Sequence, residues 1–175
     1  MKGHTLPLLF GLMFGTSQAI SMVDYSPSCR VDPDFGPWYF ELLRNNEDPT
    51  TTSTYTDFFA PNGSLIVLGS VATGANAILS ARAAMLPADG SVQWNHFPNK
   101  TVVAEESATE KTFHVYGVMQ SVTTADGNCS TTYFQTLFTV AKDPITRRAN
   151  LALQGGGLLA YDGFSIESSD DPCTK

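Results

Sequence analysis

Of the three histidines in the 175 residues, His96 is the one whose neighbours suit proton transfer, flanked by Trp94, Asn95 and Phe97. A neutral imidazole in an apolar pocket can take and return a proton at moderate pH. The plainer alternative is a ring satisfied by a backbone carbonyl near a strand end. Asp57 is the carboxylate considered beside it, with Tyr55 as an assisting phenol. Desolvated near His96, Asp57 would have a raised pKa and act as base or orient the ring; in solvent it is only a carboxylate before a turn. His114 and Tyr116 alternate onto one strand face and offer a second acid or hydrogen-bond donor. Tyr39, Trp94 and Gln154 are further candidates for a wall of aromatic rings with few polar groups, the make-up of a small-molecule pocket. Aromatic residues at helical spacing also make plain core.

Other chemistries lack their residues. No Ser-His-Asp constellation and no nucleotide loop can be read, and the Cys and His spacings match no zinc pattern. Gly155-Gly156-Gly157 has no strand-to-helix context for phosphate and reads as a place where a sheet bends. Neither a cofactor nor a metal is expected.

The elements that must position these groups centre on residues 113–157. Segments 113–122 and 131–140 are rich in aromatic and β-branched residues, and Ala125-Asp126-Gly127-Asn128 between them can reverse the chain. With Val122 opposite Thr131, one face carries Phe113, Val115 and Met119 with Phe134, Phe138 and Val140. The other carries His114, Tyr116 and Gln120 with Tyr133, Gln135 and Thr139. Only one face can look towards helices, so an aromatic inner face puts His114 outside. Segment 149–154 reads as a third strand ending in the glycine run.

Upstream, a helix is expected from Asp34 with Phe35, Trp38 and Leu42 on one stripe, Tyr39 and Leu43 beside it, and a break at 45–50. A second, threonine-rich helix is expected over 52–59, a turn at Ala60-Pro61-Asn62-Gly63, and a short strand over 65–68. Residues 73–86 form the third helix, on an apolar stripe of Ala77, Ile78, Ala81, Ala84 and Met85, stopped by Pro87. Strands follow at 92–97 and 101–105. Helices first and antiparallel strands afterwards imply an α+β domain, helices packed on one face of a curved sheet.

Residues 1–19 read as a secretory signal peptide: Lys2, then an apolar run over 6–14, then Ser17-Gln18-Ala19. That leaves 156 residues, read as an irregular lead-in over 20–33, one domain over 34–166 and a polar tail over 167–175. Nine basic residues then face seventeen acidic ones, a net charge of −8 that argues against nucleic acid. No later run is long enough to cross a membrane. The sequons at Asn62, Asn99 and Asn128 agree with an exported, extracellular protein. Cys29, Cys129 and Cys173 allow three pairings in an oxidising compartment. Cys29–Cys173 would tie the ends of the domain together and is the pairing expected.

The order of elements and three signposts resemble the nuclear transport factor 2-like superfamily, and within it the SnoaL-like group. The signposts are the run Tyr55 to Gly63, with its aromatic-Ala-x-x-Gly turn; Gly74-Ala75-Asn76-Ala77-Ile78, opening a helix; and Trp94-Asn95-His96-Phe97-Pro98-Asn99, opening the long strands. The resemblance spans about 37–163. It implies a cone, a bent antiparallel sheet wrapped around about three N-terminal helices, with a pocket in its open end. Members include scytalone dehydratase, in which a histidine in a similar His-Phe context acts on the substrate, and polyketide cyclases; others only bind. The expectation is a cofactor-independent dehydratase, isomerase or cyclase acting on a small apolar metabolite, with His96 as acid/base and Tyr55 or Asp57 assisting. The alternatives are a secreted ligand-binding module and an exported interaction protein using its outer sheet face, through which a homodimer can also form.

Overall fold

The computed structural model describes residues 20–169 and Cys173; the signal peptide read over 1–19 and most of the tail lie outside the described residues. The chain runs β1 (Ser26–Pro27), α1 (Phe35–Glu47), α2 (Ser53–Thr56), β2 (Phe59–Val67), β3 (Ser70–Thr73), α3 (Ala75–Met85), β4 (Val92–Glu106), β5 (Glu110–Thr123), β6 (Cys129–Ala141) and β7 (Leu158–Ser169). Among the described residues these strands form one seven-stranded sheet, ordered β1-β4-β5-β6-β7-β2-β3. It is mixed rather than wholly antiparallel, because β1 runs parallel to β4 and β2 parallel to β7.

The β5–β6 hairpin pairs Val122 with Cys129, two residues from the expected partner Thr131. A slip of two keeps every side chain on its face, whereas a slip of one would have inverted the sheet. Phe113, Val115, Phe138 and Val140 are accordingly buried on the inner face. There α1 lays its stripe: the Phe35 ring centroid is 4.2 Å from that of Phe113, and Trp38 meets Phe138 edge-on at 6.1 Å. This aromatic layer joins α1 to the sheet within one contiguous apolar core.

Four sequence expectations change. The second helix is a single turn, since Phe59 is drawn into β2 opposite Leu158 and threonines hold a helix poorly. Ala60-Pro61-Asn62-Gly63 is therefore not a free turn but lies inside β2, at a register shift between the Phe59 and Ser64 pairs. Segment 149–154 is not a strand: Ala149 makes one isolated bridge to Lys142, and the chain then turns. The glycines fit that turn tightly, since a Cβ on Gly157 would lie 2.3 Å from the Asn150 carbonyl oxygen. β7 beside β6 starts only at Leu158, and it reaches Ser169, into the segment read as a tail. Finally, Cys29 does not pair with Cys173. The disulfide is Cys129–Cys173, and Cys29 is an exposed free thiol. Pairing with β6 carries β7 back towards the Cys129 end, which brings Cys173 to Cys129 and away from the lead-in.

Candidate functional site

His96 sits on β4 opposite Met119 of β5 and points inward, 5% exposed. Its partner is Glu47, the last residue of α1. One carboxylate oxygen, Oε1, accepts both the His96 main-chain N–H at 2.6 Å and the ring Nδ1–H at 2.8 Å. Accepting from Nδ1 fixes the tautomer and leaves Nε2 as the nitrogen free to exchange a proton. Both side chains are more than nine-tenths buried. Phe134 and Trp94 meet the imidazole edge-on, with ring centroids at 5.5 and 6.3 Å.

A cavity of about 100 Å³ opens in front of this ring. Its apolar wall is formed by Leu65, Val67, Met85, Trp94, Met119 and Ile166, together with Phe134. Asn46, Thr132, Thr136 and Tyr161 add uncharged hydrogen-bonding groups, and among the described residues no Lys or Arg side chain lines it. Gly117 gives the Phe134 ring its seat: a Cβ there would come within 2.5 Å of the ring and push it off the β5 backbone. A polar, sterically fixed acid–base group against a mostly apolar wall suits a small, uncharged ligand.

Of the residues singled out by sequence, His96 and Trp94 line the cavity. The others do not. Tyr55 is fully buried between Phe59 and the Arg82 guanidinium, 5.1 Å from its ring centroid. Asp57 is exposed after α2 and engaged through its main chain: its N–H donates to the Ser53 carbonyl and its carbonyl accepts the Gly156 N–H. Tyr39 is core, stacked on Phe35. Gln154 is exposed in the turn before β7, with φ of 54°. His114 and Tyr116 lie on the outer face, stacked at 4.1 Å; the Tyr116 hydroxyl lies 3.1 Å from His114 Nδ1, and Gln135 Oε1 lies 3.1 Å from Nε2. Burial without charge compensation holds the His114 pKa down despite the Gln135 bond.

The missed residues are Glu47, Asn46 and Tyr161. The signal for the first two was present: Leu42 plus four is Asn46 and Leu43 plus four is Glu47, so the buried stripe of α1 continues one turn into polar residues.

Three phenols sit in low-dielectric surroundings, Tyr39 and Tyr55 in the core and Tyr161 at the cavity wall. Burial raises the pKa values of Tyr39, Tyr55 and Tyr161 well above the ordinary 10.0, and the Glu47 carboxylate raises that of Tyr161 further. Above pH 10 the unfolded chain releases these protons while the folded one keeps them. Stability is therefore undiminished below pH 10 and falls as pH rises beyond it. In an alkaline titration, phenolate absorbance from these three of the six tyrosines should appear only together with loss of the native circular dichroism. Ionisation of all six in a native fold would contradict the burial.

No family model matches the sequence, and no curated protein matches it. Solved structures do. ActVI-ORFA from Streptomyces coelicolor superposes with a TM-score of 0.58 at 11% identity, over 77% of this chain and 94% of that one. A protein from Catenulispora acidiphila in complex with S-DNPA gives 0.51 at 15% identity, over 76% and 94%. A candidate scytalone dehydratase from Novosphingobium aromaticivorans gives 0.52 at 14% identity, over 78% and 79%. At such identities the likeness is one of architecture: the chain has the nuclear transport factor 2-like fold.

Proposed function

We propose that this protein is a cofactor-independent enzyme that moves a proton on a small, uncharged, largely apolar metabolite, by dehydration, isomerisation or cyclisation. The observation that carries this is the buried Glu47–His96 pair, with Nδ1 engaged and the ring forming one wall of a cavity of about 100 Å³. His96 Nε2 takes a proton from the ligand, and Glu47 stabilises the imidazolium that results. Tyr161 and Asn46 donate hydrogen bonds to the oxygen on which negative charge develops. In a dehydration the imidazolium then returns the proton to the departing hydroxyl, releasing water. Asp57 and Tyr55 have no part in this, since neither borders the cavity.

The test is turnover of a panel of small neutral hydroxy ketones and phenols by the intact protein, with ligand binding followed by Trp94 fluorescence. Turnover abolished in His96→Ala supports the enzyme; saturable binding without turnover of any compound supports the binding module instead, which the mainly apolar wall also suits.

Export is part of the same proposal, as are glycans on Asn62, Asn99 and Asn128, all of them exposed, and a homodimer through the outer face, where Tyr133 and Phe164 are exposed. Secreted material should begin near Ile20, shrink on glycan removal, sediment as a dimer and carry one thiol, that of Cys29. An intact Met1, or three thiols, would overturn it.

A further inference from the structure

Among the described residues two cations are buried: Lys111 pairs with Asp32, whereas Arg82 is accounted for by neither the catalytic pair nor the apolar core. It occupies the core-facing position four residues after Ile78 on α3 and is 2% exposed. Its guanidinium reaches across to the end of α1: Nε donates to the Asn46 carbonyl at 3.0 Å, and Nη2 to those of Asn45 at 3.2 Å and Asp48. Nη1 reaches the Thr51 carbonyl at 3.3 Å, just before α2. Three of these four acceptors flank or belong to the turn that carries Asn46 and Glu47 into the cavity region.

The last carbonyls of a helix have no partner inside it, and the helix dipole makes that end negative. A buried carboxylate is badly placed there. Glu47 is such a carboxylate, and both of its hydrogen bonds go to His96, so nothing on its own side chain anchors it to α1 or α3. We propose that Arg82 is a positioning residue for the proton-transfer pair: by clamping the last turn of α1 it aims the Glu47 carboxylate at His96. The planar five-donor fork matters as well as the charge, because a lysine ammonium cannot span four carbonyls. The role rests on the functional reading above, but the Glu47–His96 contact is measurable without any substrate.

The experiment is nitrogen-15 NMR of the intact protein, wild type against Arg82→Lys. In the wild type the His96 Nδ1–H and main-chain N–H should both be shielded from exchange by Glu47. In Arg82→Lys both should exchange at least tenfold faster. The His114 ring, on the outer face, serves as the unchanged control. A variant that melts earlier but keeps wild-type exchange at both His96 positions makes Arg82 merely structural and overturns the proposal.

Should Arg82→Lys not fold, the wild type alone still decides. If the clamp holds Glu47, the Arg82 Nε–H and the His96 N–H open together and, corrected for intrinsic rates, exchange alike. A His96 N–H that exchanges tenfold faster than the Arg82 Nε–H shows Glu47 leaving on its own and overturns the proposal. Absence of turnover on every compound would count against the enzyme and leave these measurements untouched.

Discussion

Replacing His96 with alanine is expected to lower turnover by about 10²–10⁴-fold, the usual contribution of one positioned acid–base group. The fold should survive, because the imidazole lies at a cavity wall and not among the interlocked rings of Phe35, Trp38 and Phe138. His114→Ala should change turnover by less than about threefold, far below that acid–base range. Its ring stacks on Tyr116 on the far side of the sheet and its nitrogens meet Tyr116 and Gln135. Steady-state rates on any compound found to be turned over, with circular dichroism as the fold control, decide it. Loss of activity in His114→Ala with His96→Ala intact would mean that the reacting ligand sits on the outer face, and the cavity assignment would fall.

The contrast between the two histidines shows what the sequence made legible. Alternation along 113–122 and 131–140 separates an aromatic set from a polar set but leaves open which set faces inward; the burial of Phe113, Val115, Phe138 and Val140 decides it. The separation survives the two-residue error in register, because parity and not register decides which residues share a face. The α1 stripe was legible for the same reason: Phe35, Trp38 and Leu42 repeat at helical period and are buried.

What was not legible depends on contacts distant in the chain. Asp57 precedes the Phe58-Phe59 pair and looked like a pocket carboxylate, yet the one that reaches His96 is Glu47, forty-nine positions away. Helical period extends the α1 stripe to Glu47, but helix dipole and desolvation both oppose a buried glutamate at a helix C-terminus, and its partner lies far along the chain. The disulfide was lost with β7: once Ala149 to Gln154 is taken for the third strand, nothing returns the C-terminus to the Cys129 end of β6. The Cys129–Cys173 bond encloses 44 residues of sequence separation, and in the chain-entropy account such a loop contributes about 4 kcal/mol. The α3 stripe was read through its alanines, but Ala77 and Ala84 are exposed and position 82 faces the core as an arginine.

Arg82→Met is expected to destabilise the fold by about 3 kcal/mol, because one buried charged donor is withdrawn from several carbonyls at once. Methionine fills most of the volume but gives nothing to the carbonyls of Asn45, Asn46, Asp48 and Thr51. Those of Asn45 and Asp48 keep donors from Thr51, so the larger cost falls on the other two, at about 1–3 kcal/mol for a buried carbonyl without a partner, and the losses are not additive because the turn can partly relax towards water. The cation over the Tyr55 ring is lost as well. For a domain of this length each kcal/mol corresponds to about 2–4 °C in Tm, so a fall of roughly 10 °C is expected. Arg44→Met supplies the comparison. Arg44 pairs with Glu41 at 2.8 Å on the same helix, but its side chain is 59% exposed, and such surface pairs contribute at most about 1 kcal/mol. Thermal and urea unfolding of the two variants should therefore differ sharply. If Arg82→Met melts no lower than Arg44→Met, the carbonyls at the end of α1 find water as readily as they find Arg82, and α1 and α3 are held together by their apolar contacts alone.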